Sequence, residues 1–108
     1  HPIYHTQKYH SGVDIGASYG ASIVAADGGT VITAGAVSGY GNCVVINHGN
    51  GITTLYGHMS SIAVSSGQKV SKGQTIGYVG STGNSTGPHL HWEVTVNGVR
   101  QNPLNYAS

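Results

Sequence analysis

Charged side chains are scarce in this sequence. Its 108 residues include four Lys or Arg and three Asp or Glu, which gives a formal net charge of +1 at neutral pH. Proteins that bind nucleic acid concentrate Lys and Arg on one face, and no such basic cluster is present here. We therefore expect no nucleic-acid partner.

Cysteine and long apolar segments are also lacking. The one cysteine, Cys43, excludes a disulfide framework within the chain. It lies in the apolar, strand-like segment 42–46, where we expect a small buried side chain. No segment approaches the roughly 20 apolar residues that cross a bilayer as a helix, so we expect no membrane span. The chain does not begin with a signal-peptide pattern, so we expect any secretion signal to be encoded outside this fragment.

Glycine, in contrast, is abundant and divides the sequence into short apolar segments. There are 18 glycines, and the segments between them are too short for helices but suit strands. The segments are 23–26, 30–36, 43–47, 52–56, 75–79 and 90–96. Asn97-Gly98, between two valines, is a typical two-residue hairpin turn. Because the length suits one domain, these patterns predict a single all-β domain.

Polar and apolar residues alternate along the last long segment. His89, His91 and Glu93 are spaced two apart, and residues i and i+2 of a strand share one face. The residues expected on the opposite, core-facing side are Leu90, Trp92 and Val94. The pattern predicts a half-buried strand with two histidines on its open face.

A second pair of candidate ligands lies far upstream. His10 and Asp14 are four residues apart, and two glycines in the segment 10–16 argue against a helix. Gly12 between them is suited to a bend that brings the two side chains together. A catalytic zinc ion needs three ligands from His, Cys and carboxylate, and calcium or magnesium would need an all-oxygen set. Together with His89 and His91, this pair predicts a zinc site divided between two parts of the sequence.

Two further histidines have other interpretations. His48 lies in Asn-His-Gly-Asn-Gly, which is typical of a turn, so we expect it to face solvent. His58 ends the apolar run that starts at Ile52, and by pattern alone it is as consistent with a structural role as with a functional one.

Three motifs follow one another along the chain: HSGVDI at 10–15, TLYGH at 54–58, and the loop 80–87 that leads through Pro88 into HLHWE at 89–93. In this order they resemble the lysostaphin or LytM type of zinc endopeptidases, which cut the peptide part of bacterial peptidoglycan. The resemblance covers nearly the whole chain. It implies an all-β fold of two sheets, largely antiparallel, with a groove walled by loops.

The resemblance also implies a role for each motif residue. His10, Asp14 and His91 would be the zinc ligands, with water in the fourth position, and His58 and His89 would form an unligated pair beside the metal. Zinc in such a site acidifies water and polarises the scissile carbonyl. His89 would be the base or proton shuttle and His58 would hydrogen-bond the tetrahedral intermediate, with the two roles open to exchange.

Glu93 has two interpretations, as a base in place of His89 or as a support for a ligand histidine. The second is favoured because a spacing of two residues from His91, roughly 7 Å, puts the attacking water beyond easy reach.

The resemblance therefore predicts a zinc-dependent endopeptidase acting on the stem peptides or cross-bridges of peptidoglycan. Residues 1–108 would be the catalytic domain of a longer secreted chain, acting outside the cell, in the periplasm or at the cell wall, and monomeric. Two alternatives stay open. A non-catalytic binding domain would share the fold without hydrolysing peptide, and a phosphotransfer domain would use two histidines without metal, which leaves His10 and Asp14 without a purpose.

Overall fold

A computed structural model describes residues 13–83 and 87–101, with only the backbone of residues 13 and 14. The strands in these residues are β1 (Val13–Gly16), β2 (Ser22–Val24), β3 (Gly29–Val37), β4 (Gly41–Gly49), β5 (Ile52–Ile62), β6 (Lys69–Val70), β7 (Thr75–Val79), β8 (His89–Val96) and β9 (Val99–Gln101). Every strand pair described is antiparallel. The all-β, antiparallel prediction is confirmed. The described ranges contain no helix that is long and apolar enough to cross a membrane.

The strands are joined through the long strand β5. The main sheet has the order β1-β8-β5-β4-β3-β6, and β9 extends it by pairing with β8. The first half of β5 lies between β4 and β8, whereas its second half pairs with β7, which in turn pairs with β2. The nine strands described all belong to one hydrogen-bonded sheet that branches at β5. The predicted two sheets correspond to its two parts, the main sheet and a smaller β2–β7 sheet, which share β5.

One face of the main sheet packs against the smaller sheet to form the core. Trp92 and Val94 of β8 are buried there beside Tyr56 of β5, and Leu90 packs against the same cluster. The other main members of the cluster are Ile15, Ile23, Val31, Val44, Ile46, Met59, Ile76 and Val79. Because side chains alternate along a strand, His89, His91 and Glu93 belong to the opposite face. The predicted division of β8 into a core face and a polar face is confirmed, but the polar face is not open along its whole length, because Glu93 is buried.

The connection between β8 and β9 is the predicted hairpin turn. Asn97 and Gly98 both have positive φ, 51° and 80°. That combination defines the tight turn whose twist matches antiparallel strands, and Asn-Gly is its preferred sequence.

The prediction for His48 is wrong. His48 lies within β4 and is half-buried. Its Nδ1 lies 2.8 Å from the carbonyl oxygen of Gly28, and its Nε2 lies 2.7 Å from Thr54 Oγ1. The turn is made two residues later by Asn50 and Gly51, which have positive φ. Strand β4 continues through His48 to Gly49. The turn-forming composition around His48 therefore begins before the strand ends.

Candidate active site

Strand β8, which carries the third sequence motif, lies between β1 and β5, which carry residues of the other two motifs. His91 is paired with Gly57 of β5 on one side and with Asp14 of β1 on the other. Only the backbone position of Asp14 is described, and His10 lies outside the described residues. The register nonetheless places Asp14 directly across the strand pair from His91, as a shared site requires.

A β-bulge in β5 places His58 next to the β8 histidines. Between the pairs Val44–Tyr56 and Asn42–Met59, β5 has two residues where β4 has one. His58 takes a positive φ of 61° in this bulge, and its N–H donates to the carbonyl of Tyr40 at 2.7 Å. Bulges redirect side chains and occur often beside active sites.

The rings of the three histidines lie close together. The centroid of the His58 ring is 4.8 Å from that of His89 and 5.9 Å from that of His91, in edge-on arrangements. His58 is only 5% exposed, so the pair is partly shielded from solvent. The structure thus brings together the residues predicted to form the catalytic pair and the described member of the predicted ligand set.

Backbone carbonyls fix the orientation of the predicted catalytic pair. Nδ1 of His58 is 2.6 Å from the carbonyl oxygen of Thr82, and Nδ1 of His89 is 2.9 Å from that of Gly87. A carbonyl oxygen only accepts hydrogen bonds, so each Nδ1 carries a proton and donates it. In a neutral ring with this proton on Nδ1, Nε2 is the nitrogen that can accept a proton.

Residues 80–83 are held firmly against the site. Thr82 Oγ1 donates to the carbonyl of Met59 at 2.7 Å and accepts from the Asn42 N–H at 3.1 Å. The backbone also approaches closely here: a Cβ on Gly83 would lie 2.4 Å from the nitrogen of Gly41. The carbonyl that orients His58 is therefore anchored to both β4 and β5.

Glu93 is a buried carboxylate surrounded by donors. Its Oε2 accepts from His91 Nε2 at 2.9 Å and from the Tyr40 hydroxyl at 2.6 Å. Its Oε1 lies 3.3 Å from Arg100 Nε. Burial acts to raise the pKa of Glu93, but the hydrogen bonds from His91 and Tyr40 and the charge of Arg100 outweigh it, so the pKa lies below its usual value. Glu93 is therefore ionised at neutral pH.

The chemistry of His91 fits a zinc ligand. Within the described ranges no group of three His, Cys, Asp or Glu side chains is arranged to hold a metal ion, and two predicted ligand side chains, His10 and Asp14, lie outside that description. His91 uses Nε2 for Glu93, so Nδ1 is the atom with which it would bind a metal. Zinc-binding histidines commonly donate their other N–H to a carboxylate in this way.

The sequence patterns did not reveal the roles of three residues of the site. Thr82 lies in the loop 80–87 of the third motif, but nothing in that loop indicated a contact with His58. Tyr40 lies between two turn glycines and Arg100 lies in a short exposed strand, and neither belongs to a periodic pattern or a ligand motif. Their roles depend on contacts between segments far apart in the sequence, and only the neighbouring Gly39 and Gly41 marked the turn at Tyr40.

The fold is that of a family of metallopeptidases. Residues 8–103 match peptidase family M23, and the chain belongs to that family. It is 47% identical over 107 residues to the DD-carboxypeptidase/endopeptidase Mpg of Neisseria meningitidis, which covers 99% of this chain and 25% of the relative. It is 41% identical over 98 residues to the murein hydrolase activator NlpD of Salmonella dublin, covering 90% of this chain and 26% of the relative. The chain thus spans about a quarter of the length of these curated relatives.

Solved structures agree with this assignment. The catalytic domain of the antimicrobial peptidase lysostaphin from Staphylococcus simulans superimposes with a TM-score of 0.87 at 30% identity, covering 95% of this chain and 91% of that one. A zinc-containing peptidase from Vibrio cholerae has a TM-score of 0.82 at 39% identity, covering 85% of this chain and 28% of that one. The predicted resemblance to the lysostaphin type is confirmed.

Proposed function

We propose that this chain is a zinc-dependent endopeptidase that hydrolyses peptide bonds in the stem peptides or cross-bridges of bacterial peptidoglycan. The observation that carries the proposal is the cluster on β8 and the β5 bulge, where His58 and His89 stand beside His91. The names of the relatives support it, since Mpg is a DD-carboxypeptidase/endopeptidase and lysostaphin an antimicrobial peptidase.

In this proposal His10, Asp14 and His91 hold one zinc ion. The position of Asp14 opposite His91 on neighbouring strands supports this set, as does the Glu93 carboxylate on the far nitrogen of His91. When bound, the ion would acidify a water molecule and polarise the carbonyl of the scissile bond.

His89 and His58 perform the proton and charge steps beside the metal. His89 accepts a proton from the attacking water at Nε2, because its Nδ1 is fixed on the Gly87 carbonyl. His58 hydrogen-bonds the negatively charged intermediate through Nε2, for which it must carry a second proton, and its Nδ1 contact with Thr82 keeps the ring in place. The two residues have equivalent carbonyl partners, so the roles can exchange.

The proposed setting follows from the substrate. Peptidoglycan lies outside the cytoplasmic membrane, so the domain acts in the periplasm, at the cell wall or outside the cell. We infer that residues 1–108 form the catalytic domain of a longer secreted chain that functions as a monomer, without a nucleic-acid partner.

A second candidate is a non-catalytic domain of the same fold that binds peptidoglycan or a partner protein. The similarity to NlpD, named as an activator of murein hydrolases, favours it. Against it stands the supported geometry of both His58 and His89, which a binding role alone does not require.

Release of peptides from purified cell walls tests the proposed activity. Zinc-loaded protein is incubated with peptidoglycans that differ in cross-link type, and soluble fragments are analysed by mass spectrometry. We expect new peptide termini from at least one wall type, and their position identifies the bond that is cut.

The matched control is the same incubation with a zinc chelator, which should abolish the new termini. If zinc is bound stoichiometrically and no wall type releases peptide, the endopeptidase proposal is refuted and the binding domain takes its place.

A further inference from the structure

Glu93 is saturated with hydrogen-bond donors from three different segments. His91 lies two residues away on β8, Tyr40 comes from the turn before β4, and Arg100 comes from β9. The Glu93 side chain is 4% exposed. A buried carboxylate normally needs such partners to offset its lost hydration. Here the partners also determine which group donates and which accepts in each hydrogen bond.

The direction of the His91–Glu93 hydrogen bond follows from these partners. The hydroxyl of Tyr40 and the guanidinium of Arg100 are donors, so both carboxylate oxygens act as acceptors. An ionised carboxylate has no proton to give, and Nε2 of His91 must therefore donate to Oε2. A metal-binding imidazole is neutral and carries one N–H, so with the proton on Nε2 the nitrogen that would bind the metal is Nδ1.

The His91 ring is also restrained against rotation. The Tyr40 ring lies 5.4 Å from it, centroid to centroid, with 36° between the planes. Tyr40 is itself packed over the strand, because a Cβ on Gly57 would lie 3.4 Å from its ring. Exchange of the two imidazole nitrogens would also break the hydrogen bond between Nε2 and Glu93.

From this geometry we propose that Glu93 is a positioning residue for the metal: it fixes His91 in the tautomer protonated on Nε2 and so directs Nδ1 to the zinc. The inference rests on the proposed function, because it concerns the same ion. It also assigns Glu93 no contact with the attacking water, since both of its oxygens are engaged and the side chain is buried.

Nitrogen chemical shifts of the metal-free protein report the tautomer without any variant. In long-range proton–nitrogen NMR spectra of histidine-labelled protein, we expect Nε2 of His91 to carry a proton, because it donates to Glu93. An unprotonated Nε2, with the proton on Nδ1, overturns the proposal.

A Glu93→Gln variant tests the consequence for zinc. The amide can turn its NH2 group towards Nε2 of His91, which favours the tautomer protonated on Nδ1, and that form cannot bind metal through Nδ1. We expect the dissociation constant for zinc, measured by competition with a chromogenic chelator, to rise by about 10–100-fold, the usual effect of losing such a partner. The NMR signals of His91 should move towards the Nδ1-protonated form at the same time.

Asp27→Asn is the matched control, because it makes the same carboxylate-to-amide change in a turn. Asp27 accepts a local hydrogen bond from the Gly28 N–H and none from the four histidines that the structure describes, so zinc affinity should stay unchanged. If the wild-type chain binds no zinc, the proposed function itself fails. If the wild type binds zinc and Glu93→Gln binds it equally well, only the positioning role of Glu93 is overturned.

Discussion

The reactivity of the Cys43 thiol is set by its surroundings. It is completely buried, and burial, followed by the negative charge of Glu93, raises the pKa of its thiol to about 11. The thiolate is the reactive form of cysteine, so this environment suppresses both nucleophilic and oxidative reactions. The sequence-based expectation of a small buried side chain is confirmed.

The reactivity of Cys43 towards a disulfide reagent such as DTNB should therefore depend on folding. At pH 8 an unfolded cysteine with a pKa near 8.5 is about one-quarter thiolate, and a thiol with a pKa of about 11 is about a thousandth thiolate. We expect labelling of the folded protein to be slower than in denaturant by on the order of 100-fold or more. The rate should rise as the pH approaches 11.

The denatured protein serves as the control and should label with one equivalent of reagent. Fast labelling of the folded protein at pH 8 would contradict the buried placement of Cys43. A rate that does not rise with pH would show that access to the thiol, not its ionisation, limits the reaction.

Local patterns predicted some residues of the site well and others poorly. The shared face of His91 and Glu93 followed from alternation along a strand, which depends only on local geometry. The position of His48 was predicted wrongly, because turn-forming composition extended into the end of β4. Tyr40 was not predicted, because its contact with Glu93 joins positions 53 residues apart.

At the scale of elements, the β5 bulge and the turn before β4 form one unit. The turn carbonyl of Tyr40 accepts from the N–H of His58, and the turn backbone packs on residues 82 and 83. The bulge was not predictable, since Gly57-His58 in an apolar run does not indicate that β5 gains an extra residue against β4. The existence of β4 and β5 was predictable from their β-branched and apolar runs.

Gly41→Ala tests how closely these elements are packed. Gly41 has a φ of 68°, and a Cβ there would lie 2.4 Å from the carbonyl carbon of Thr82. The left-handed conformation costs about 1–2 kcal/mol for alanine, and overpacking adds about 1–3 kcal/mol. We expect a total loss of about 2–5 kcal/mol in the free energy of unfolding, measured by denaturant titration.

Gly98→Ala separates the two contributions. Gly98 has a similar φ of 80°, but no atom lies within 4 Å of the position that a Cβ would take there. The free energy of unfolding of Gly98→Ala should fall only by the cost of the left-handed conformation, about 1–2 kcal/mol. Equal losses in the two variants would mean that the contact between Gly41 and residues 82–83 contributes nothing.

At the scale of the whole molecule, the two faces of the main sheet have separate tasks. One face packs the apolar core with the smaller sheet, and the other carries the histidines and Glu93. The fold class was predictable from glycine-separated apolar runs and from the three ordered motifs. The sharing of β5 between two sheets was not, because it depends on where an 11-residue strand changes partners.

This separation predicts that zinc stabilises the protein but is not needed for folding. At a free zinc concentration 100 times the dissociation constant, binding to the folded state alone adds about 2.7 kcal/mol. For a domain of this size that corresponds to a rise in the melting temperature of roughly 10–20 °C. Chelator-treated protein should keep its all-β circular dichroism spectrum and melt cooperatively at the lower temperature.

Two histidine variants locate the source of that stabilisation. His91→Ala should abolish the zinc-induced rise in melting temperature together with peptide release, because it removes a proposed ligand. His58→Asn should keep the rise and lose peptide release, because His58 is proposed to act without binding metal, and asparagine tolerates the positive φ of the bulge. If both variants lose the zinc effect equally, His58 is a ligand and the division between metal-binding and catalytic histidines is wrong.

If the chelator-treated protein is unfolded, the core does not hold the sheets together alone, and zinc is a structural ion as well.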